Sequence, residues 1–465
     1  MYTNQYQINQ IMQKILLLLL SCMMSAAIAR AQTESLTVVV EEPGTLAELI
    51  GDRITEITSL TVEGKINAED FQIIRQGGRE NLESVNLSNA DVEGKAIPRL
   101  AFTATLDYFA PWSKIKHIKL PPDIEEIGEF AFYHLLIEEL ELPAHLKKIG
   151  KRAFGEDGYL QIDEWPAELE EIGEKAFNNC MSMTNGNFPE SLKIIGKFAF
   201  EISGITTVTW PTALEYLGYG GFASSNMEFV TLPDGVEIPG ALFMGCPELR
   251  SVTLSNTMTT VPQYMCEMCD MLERVVIPAQ VTRIEHDAFS TCPKLSEVIF
   301  SEGLQSIGKG AFAHCAINTL VLPSTLAELD TDCFYNAVRG DIYCKAIVPP
   351  ACSADANPFF GLYDHTLYVP VGTKAAYQAA NEWRDFKNIV EHDMSGLDAV
   401  TPEAEGMPVR TADSAIIVSG GSFEIYTVDG RLVGADTADS ETTVSVSPGI
   451  YVVRVGDAVT KVSVR

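Results

Sequence analysis

The stretch Ile277 to Phe300, IPAQVTRIEHDAFSTCPKLSEVIF, decides the fold of this 465-residue chain, because its apolar positions return at one fixed spacing along most of the sequence. With Pro278 as a marker, the position recurs as Pro121, Pro143, Pro166, Pro189, Pro211, Pro233, Ser255, Pro278, Ser301 and Pro323, in steps of 22 or 23 residues. Eleven residues after the marker stand Phe132, Phe154, Phe177, Phe200, Phe222, Cys266, Phe289, Phe312 and Phe334, with Phe243 one residue early. An aliphatic or Met lies three residues after the marker, as in Ile124, Leu146 and Met258, and a second aliphatic three further on, as in Ile127, Ile149 and Ile284. Such a repeat describes a stack of coils in which no single coil can cover its own apolar side.

A period of 20 to 29 residues with this pattern predicts an α/β-type leucine-rich-repeat solenoid of ten repeats, right-handed, built mostly of strand and loop around a parallel strand ladder. The run before each marker supplies the strand. Val298 and Phe300, two apart, face the same side and point inward. The ladder is expected at Ile118 to Leu120, Leu140 to Leu142, Val252 to Leu254, Val298 to Phe300 and their equivalents. Coils about 4.8 Å apart make it on the order of 45 Å long. The marker Pro ends each strand, lacking an N–H and fixing φ. The Phe positions should fill the opposite side as a continuous spine. Asp163 and Gly186 fall where an inward aliphatic belongs, which predicts loose packing there or a one-residue shift that turns Ile162 inward.

The unit L-x-x-V-x-L-P-x-x-L-x-x-I-G-x-x-A-F-x-x-C resembles the BspA-like leucine-rich repeat of bacterial surface proteins, over roughly residues 55 to 392. The resemblance implies a secreted or surface-bound protein that adheres to host or bacterial partners and is not an enzyme. A structural role in the envelope or a matrix is the alternative, and an enzyme with a dispersed site comes last.

Residues 1–31 have the pattern of a signal peptide: Lys14 precedes the apolar run Ile15 to Leu20, and Ala29-Arg30-Ala31 sets small residues at the cleavage positions. Leu19-Leu20-Ser21-Cys22 leaves a lipoprotein reading open, and Met12 an alternative start. Removing the segment takes away Lys14 and Arg30 and moves the formal net charge from −30 to −32. So acidic a chain is a poor partner for nucleic acid or anionic membrane, and no later apolar run reaches the length of a transmembrane span. Extracellular protein or glycan is the expected partner, and the protein is expected to be a monomer.

Residues 32–110 read as an N-terminal cap with degenerate repeats. Short helices are expected near Thr45 to Ile50 and Asp70 to Arg75, and a strand at Leu60 to Val62. The solenoid runs over 111–340 and its closing cap over 341–393, where Thr373 is placed to start a helix and Tyr377, Trp383, Phe386 and Ile389 can cover the last coil. Residues 394–410, rich in Pro, Gly, Ala, Glu and Asp, form a linker. Residues 411–465 alternate like a small β-sandwich, with a hairpin turn at Asp429-Gly430. This ending, with Asp429-Gly430-Arg431-Leu432-Val433, Gly449-Ile450-Tyr451-Val452-Val453 and Lys461 to Arg465, resembles the C-terminal sorting domain of type IX secretion in Bacteroidota. Asp413-Ser414-Ala415 and Asp436-Thr437-Ala438 resemble the O-glycosylation pattern of the same bacteria, which points to Ser414 and Thr437.

Nine cysteines follow the targeting segment. Cys180, Cys246, Cys269, Cys292 and Cys315 all lie three residues after the Phe position and read as small buried hydrophobes in a column. In Cys266-Glu267-Met268-Cys269, Cys266 replaces Phe and Cys269 takes the regular Cys position, so repeat register explains both without metal or redox chemistry. Cys344 and Cys352 stand off the column and form a candidate disulfide. No G-x-S-x-G, phosphate loop or H-E-x-x-H is present, and no cofactor is implied. The pairs Glu125-Glu126, Glu138-Glu139 and Glu170-Glu171 fall at positions expected to face water.

A ligand-binding face follows from the strand geometry. One residue per strand points outward between the two inward ones, giving the row Lys119, Glu141, Glu164, Asn187, Thr209, Thr231, Thr253, Val276, Ile299 and Val321. A parallel row two residues earlier adds Thr207, Phe229, Ser251, Arg274 and Thr319. Exposed Val276, Ile299 and Val321 beside Phe229 and Arg274 make an apolar strip on an acidic protein, the kind of patch that contacts partners. β-branched residues also favour strands wherever they point.

Overall fold

The computed structural model describes residues 34–104, 106, 113–352, 357–395, 397, 409–412, 415–427, 432–446, 449–455 and 458–464. They fall into two compact units, one ending at Met394 and one beginning at Ser395.

The first unit is a parallel-strand solenoid with two ladders, of which the repeat pattern shows only one. The expected ladder forms, several strands starting one residue before the inward pair, as at Ser251 and Glu297, and Leu320–Leu322 at the inward residue itself. Its first sheet joins Ser35–Val40, Ser59–Ile66, Ser84–Asn86, His117–Lys119 and Glu139–Leu140. A second sheet joins Phe229–Thr231, Ser251–Thr253, Arg274–Ile277 and Glu297–Phe300, and a third Leu320–Leu322, Ile342–Cys344, Thr366–Pro370 and Asn388–His392. The other ladder is built from the second aliphatic of each coil. It runs from Ala96–Ile97 through Glu126–Ile127, Lys148–Ile149, Glu171–Ile172 and Ile194–Ile195 to Tyr216–Leu217. It resumes from Thr260–Val261 to Ala351–Cys352. Its strands are two residues long, the first residue exposed or half-buried and the second buried except at half-buried Cys352, too short to show a period of two.

Close stacking explains the Gly that follows the second aliphatic. A Cβ on Gly150 would lie 2.8 Å from the Ile127 carbonyl oxygen, and one on Gly196 2.6 Å from the Glu174 nitrogen. The column Gly128, Gly150, Gly173, Gly196 and Gly218 lets neighbouring coils approach where any side chain would hold them apart.

The Phe spine forms two stacks, separated at the coils of Phe243 and Cys266, and extends beyond the repeats that announce it. Phe102, Phe132, Phe154, Phe177, Phe200 and Phe222 stack face to face with centroids 4.8, 4.8, 5.2, 5.5 and 5.2 Å apart. Phe289, Phe312, Phe334 and Phe359 resume the stack at 5.3, 5.7 and 6.0 Å. All are fully buried. The backbone beside them also bonds from coil to coil: the Phe132, Phe154 and Phe177 N–H groups donate to the carbonyls of Ala153, Ala176 and Ala199 at 2.7, 2.8 and 2.8 Å. Residues two before and two after the Phe position take positive φ, as at Phe130, His134, Arg152 and Glu156. That region is uncommon for non-Gly residues, so the tight corner is fixed by coil-to-coil bonding and not by local preference.

The two irregular coils do not pack loosely. Ile162 turns inward and is buried while Asp163 faces water. Gly186 stays inward because the Thr207 carbonyl occupies the space its Cβ would need. The strand ladder is reduced here to a bridge between Asn187 and Thr209, and aromatic rings fill the interior instead. Trp165 meets Phe177 edge-on at 5.4 Å, Phe188 lies 5.2 Å from Phe200, and Trp210 meets Phe222 edge-on at 5.6 Å.

The N-terminal cap carries Leu46–Ile50 as a short helix and Ala68–Glu80 as a longer one. A capping box between Asn67 and Asp70 starts the longer helix. At the other end Lys374–Ala379 is helical, but the Thr373 hydroxyl donates to the Pro370 carbonyl at 2.7 Å and does not cap the helix. Buried Tyr377 and Trp383 close the last coil, the Trp383 indole donating to the Pro350 carbonyl at 2.8 Å.

Among the described residues the second unit is a small β domain built on one five-stranded antiparallel sheet. Ala415–Thr427 pairs along one edge with Leu432–Ser445 and along the other with Val409–Ala412 and Gly449–Val455, which in turn pairs with Ala458–Val464. Register shifts between Ser419 and Gly421 and between Ile425 and Tyr426 interrupt the long pair. Among the described residues its core holds Ile416, Val418, Phe423, Ile425, Val446, Tyr451 and Val453.

Candidate functional site

The outward residues of the first ladder come together as one surface. Phe229 pairs with Ser251 and Ser251 with Arg274, and beside them Thr231 pairs with Thr253 and Val276 with Ile299. Thr209, Thr231 and Thr253 are exposed, whereas Phe229, Arg274, Val276, Ile299 and Val321 are half-buried, as flanking side chains on the sheet require. Arg274 Nε sits 2.9 Å from a Glu297 carboxylate oxygen, so its charge is engaged across the strand pair. The Thr209 hydroxyl donates to Asn187 Oδ1 at 2.9 Å.

The row does not stop at Val321. That residue pairs with Tyr343, Tyr343 with Tyr368, and Tyr368 with Val390. The marker Pro and Phe spacing has faded in this cap, which hides the continuation. The alternation in Ile342-Tyr343-Cys344 and Leu367-Tyr368-Val369, apolar either side of an outward Tyr, is the signal that could have found it. The result is an aliphatic strip passing into an aromatic one.

The second ladder presents a different chemistry. Lys95, Glu125, Lys147, Glu170, Lys193 and Glu215 occupy one position in successive coils and alternate in sign. Lys147 lies 2.7 Å from Glu125, Lys193 2.7 Å from Glu170, and Lys95 3.6 Å from Glu125. Hydrogen bonds from Lys147 and Lys193 hold the Glu125 and Glu170 carboxyls below the usual range. Lys148 and Glu171 add a parallel pair at 3.0 Å, and beside the first ladder Lys116 meets Glu138 at 2.7 Å. The adjacent glutamates thus serve as rungs between coils. Exposed pairs contribute little stability, but a one-coil slip would set like charges together. Toward the C-terminal end of this ladder a shallow groove of about 230 Å³ is lined by Arg283, Ser306, Glu328, Asp330 and Cys352, among others.

The cysteines are structural. The thiols of Cys180, Cys246, Cys269 and Cys315 each donate to the carbonyl of the Phe in the preceding coil at 3.2 Å, and Cys292 donates to the Cys266 carbonyl at 3.1 Å. Burial pushes these thiols up, Cys315 to about 12, so the reactive thiolate is suppressed. The pairing expected of Cys344 and Cys352 is not formed. Both are free thiols, because Cys344 lies on the first ladder, accepting from the Tyr377 hydroxyl at 3.2 Å, while Cys352 lies on the second. Asp157 takes the same column position as the cysteines and escapes a reading by residue type. It is fully buried, and its carboxylate accepts from the Ile137 N–H at 2.9 Å and the Tyr159 N–H at 3.3 Å. Among the described residues no group of three or more His, Cys, Asp or Glu is placed to hold a metal ion. None of the helices searched among them is long and apolar enough to cross a membrane. Thr437 lies on the strand Leu432–Ser445, and Ser414 lies outside the described residues.

The model of the BspA type leucine rich repeat region matches in six copies, over residues 104–228 and 215–339. Together these span 104 to 339, or 236 of 465 residues. Among solved structures, a leucine-rich repeat protein from Bacteroides ovatus is 18% identical, with 78% of this chain and 93% of that chain covered at a TM-score of 0.55. One from Eubacterium ventriosum is 17% identical, with 65% and 90% covered at 0.40. A leucine rich cell surface protein from Faecalibacterium prausnitzii is 16% identical, with 64% and 82% covered at 0.33. The first is a likeness of fold. No curated protein matches the chain.

Proposed function

This chain belongs to the BspA-type leucine-rich repeat family, and from that premise we propose that it is a cell-surface or secreted binding protein whose contact surface is the outward row of the first ladder. The observation that carries the reading is the composition of that row: half-buried Val276, Ile299 and Val321 followed by Tyr343 and Tyr368 on a chain of net charge −30. Aliphatic and aromatic residues set in line at one per coil offer a partner a long apolar contact. Acidic surroundings exclude nucleic acid and anionic membrane. The partners we infer are extracellular proteins, with adhesion to host matrix, glycans or other bacteria as the role.

The test is binding of the chain lacking residues 1–31 to a panel of immobilised matrix proteins, glycans and bacterial cells. Changing Val276, Ile299 and Val321 together to Ser is expected to weaken the strongest interaction at least ten-fold. Half-buried β-branched positions are worth up to ~1 kcal/mol each, so the stability loss should stay near 2 to 3 kcal/mol. Undiminished binding by a folded triple variant would move the contact to the second ladder or the caps. Binding to nothing on the panel would favour a structural envelope role.

We also propose that residues 411–465 act as a sorting or anchoring module. Support comes from their separate core and the resemblance of their strand motifs to the type IX sorting domain. Deleting them should leave the solenoid's urea midpoint unchanged while the protein accumulates in the periplasm. Surface display of the truncated protein at the full-length level would reduce the module to an appendix.

A further inference from the structure

At its C-terminal end the outward row gathers polar acceptors as well as apolar surface. Tyr343 and Tyr368 stack on each other, 4.6 Å between centroids and 10° between planes. The exposed imidazole of His392 meets both edge-on at 5.7 and 5.5 Å. Because each ring uses one face against the other, the pair stands on edge on the sheet. It offers solvent its hydroxyls and ring edges, not a flat platform. Asp341, exposed and two residues before Tyr343, lies on the same side of the chain. Burial first, and then the Asp341 carboxylate and Tyr368, push the Tyr343 phenol up.

Three of the chain's own cations near the row are engaged elsewhere, while Arg339, exposed and two residues before Asp341, stands beside the cluster. Lys345 is 2.6 Å from Glu302 with its side chain only 12% exposed, Lys387 pairs with Asp364, and Arg274 further along the row pairs with Glu297 at 2.9 Å. The cluster therefore combines a carboxylate and two phenol oxygens with an adjoining aliphatic, Val321, and looks outward from a strongly acidic molecule. A group with several donors in a plane and an apolar stem satisfies such a set. An arginine guanidinium carries five N–H donors in a fixed fork on a three-methylene stem. A neutral sugar would want the open ring face that mutual stacking removes. Long-range attraction to a net charge of −30 favours a basic partner as well.

We propose that Tyr343, Tyr368 and Asp341 form a pocket for an arginine side chain of an extended partner segment, with Val321 against its stem and His392 at its rim. This rests on the reading of the first ladder as the contact surface and specifies one end of it. Full-length protein labelled with ¹³C-histidine has seven imidazoles to resolve, and His392→Gln identifies the reporter signal. Arginine amide is the probe, with glutamine amide and N-acetylglucosamine beside it. The expected result is a saturable shift of the His392 signal with arginine amide alone. It should weaken about five-fold or more, or about 1 kcal/mol, in Asp341→Asn and in Tyr343→Leu with Tyr368→Leu. No saturable shift, an equal response to N-acetylglucosamine, or an unchanged response in Asp341→Asn overturns the proposal. Asp341→Asn is a surface exchange that leaves the core intact, so it remains decisive if the tyrosine variant is destabilised. A double Val276→Ser, Ile299→Ser variant leaves this cluster, Val321 included, in place. Loss of partner binding there with no arginine response here would retire the pocket and keep the surface.

Discussion

Phe200→Ala is expected to cost about 3 to 5 kcal/mol, the range for truncating a fully buried aromatic, and to fall at the upper end of it. Phe200 stacks on Phe177 at 5.5 Å and on Phe222 at 5.2 Å, and Phe188 and Trp165 pack on it from the ladder side at 5.2 and 6.3 Å. The coils that surround it have lost their regular pairing on the first ladder, so the rings are what fills the interior on that side. A neighbouring coil cannot collapse into the space, because the glycine column already holds the backbones at contact on the other side. Urea unfolding followed by tryptophan fluorescence reads the loss, since Trp165 lies beside the cavity. A variant that unfolds with the wild-type midpoint would show that the spine does not carry the stack.

Stability is expected to fall as pH rises from 4 to 7, through Asp157. Burial pushes its carboxyl up to about 7, desolvation outweighing the N–H bonds from Ile137 and Tyr159 that favour the charged form. Between the ordinary carboxylate value near 4 and about 7, the folded protein holds a proton that the unfolded chain has released. Folding is therefore progressively less favourable across that window and levels off above it. A displacement of about 3 pH units corresponds to roughly 4 kcal/mol at most. Many other carboxylates titrate in the same range, so the informative quantity is the difference from Asp157→Asn, which cannot ionise. Urea midpoints at pH 5 and pH 7.5 should diverge less in the variant than in the wild type. Parallel pH profiles for the two proteins would mean that Asp157 is charged and satisfied in the fold.

What could be read from sequence and what could not follows from the length of each signal. The Phe positions and the inward residues of the first ladder recur in most coils, so Phe289 and Val298 identify their own roles. The second ladder is carried by pairs such as Lys148-Ile149, whose polar first residue resembles a loop. Its charge alternation from Lys95 to Glu215 appears only once the coils are laid side by side. Positive φ at Phe130 or Lys175 leaves no trace in residue type, since coil-to-coil hydrogen bonds impose it. At Asp163 and Gly186 the missing aliphatics were legible, but not that Trp165, Phe188 and Trp210 replace them from a neighbouring position. Tyr343 and Tyr368 escaped because the outward row was followed only as far as the marker persists. Cys344 and Cys352 are close in sequence yet belong to different ladders, which proximity along the chain cannot show.

The claim that the outward row of the first ladder is the contact surface is tested most directly by hydrogen–deuterium exchange of the full chain with and without whichever panel partner it binds. The account predicts slowed exchange in peptides covering Arg274–Ile277, Glu297–Phe300, Leu320–Leu322, Ile342–Cys344 and Thr366–Pro370, with Arg283–Ile284, Ser306–Ile307 and Glu328–Leu329 on the second ladder unchanged. Protection confined to the second ladder and the groove around Arg283 and Asp330 would contradict it.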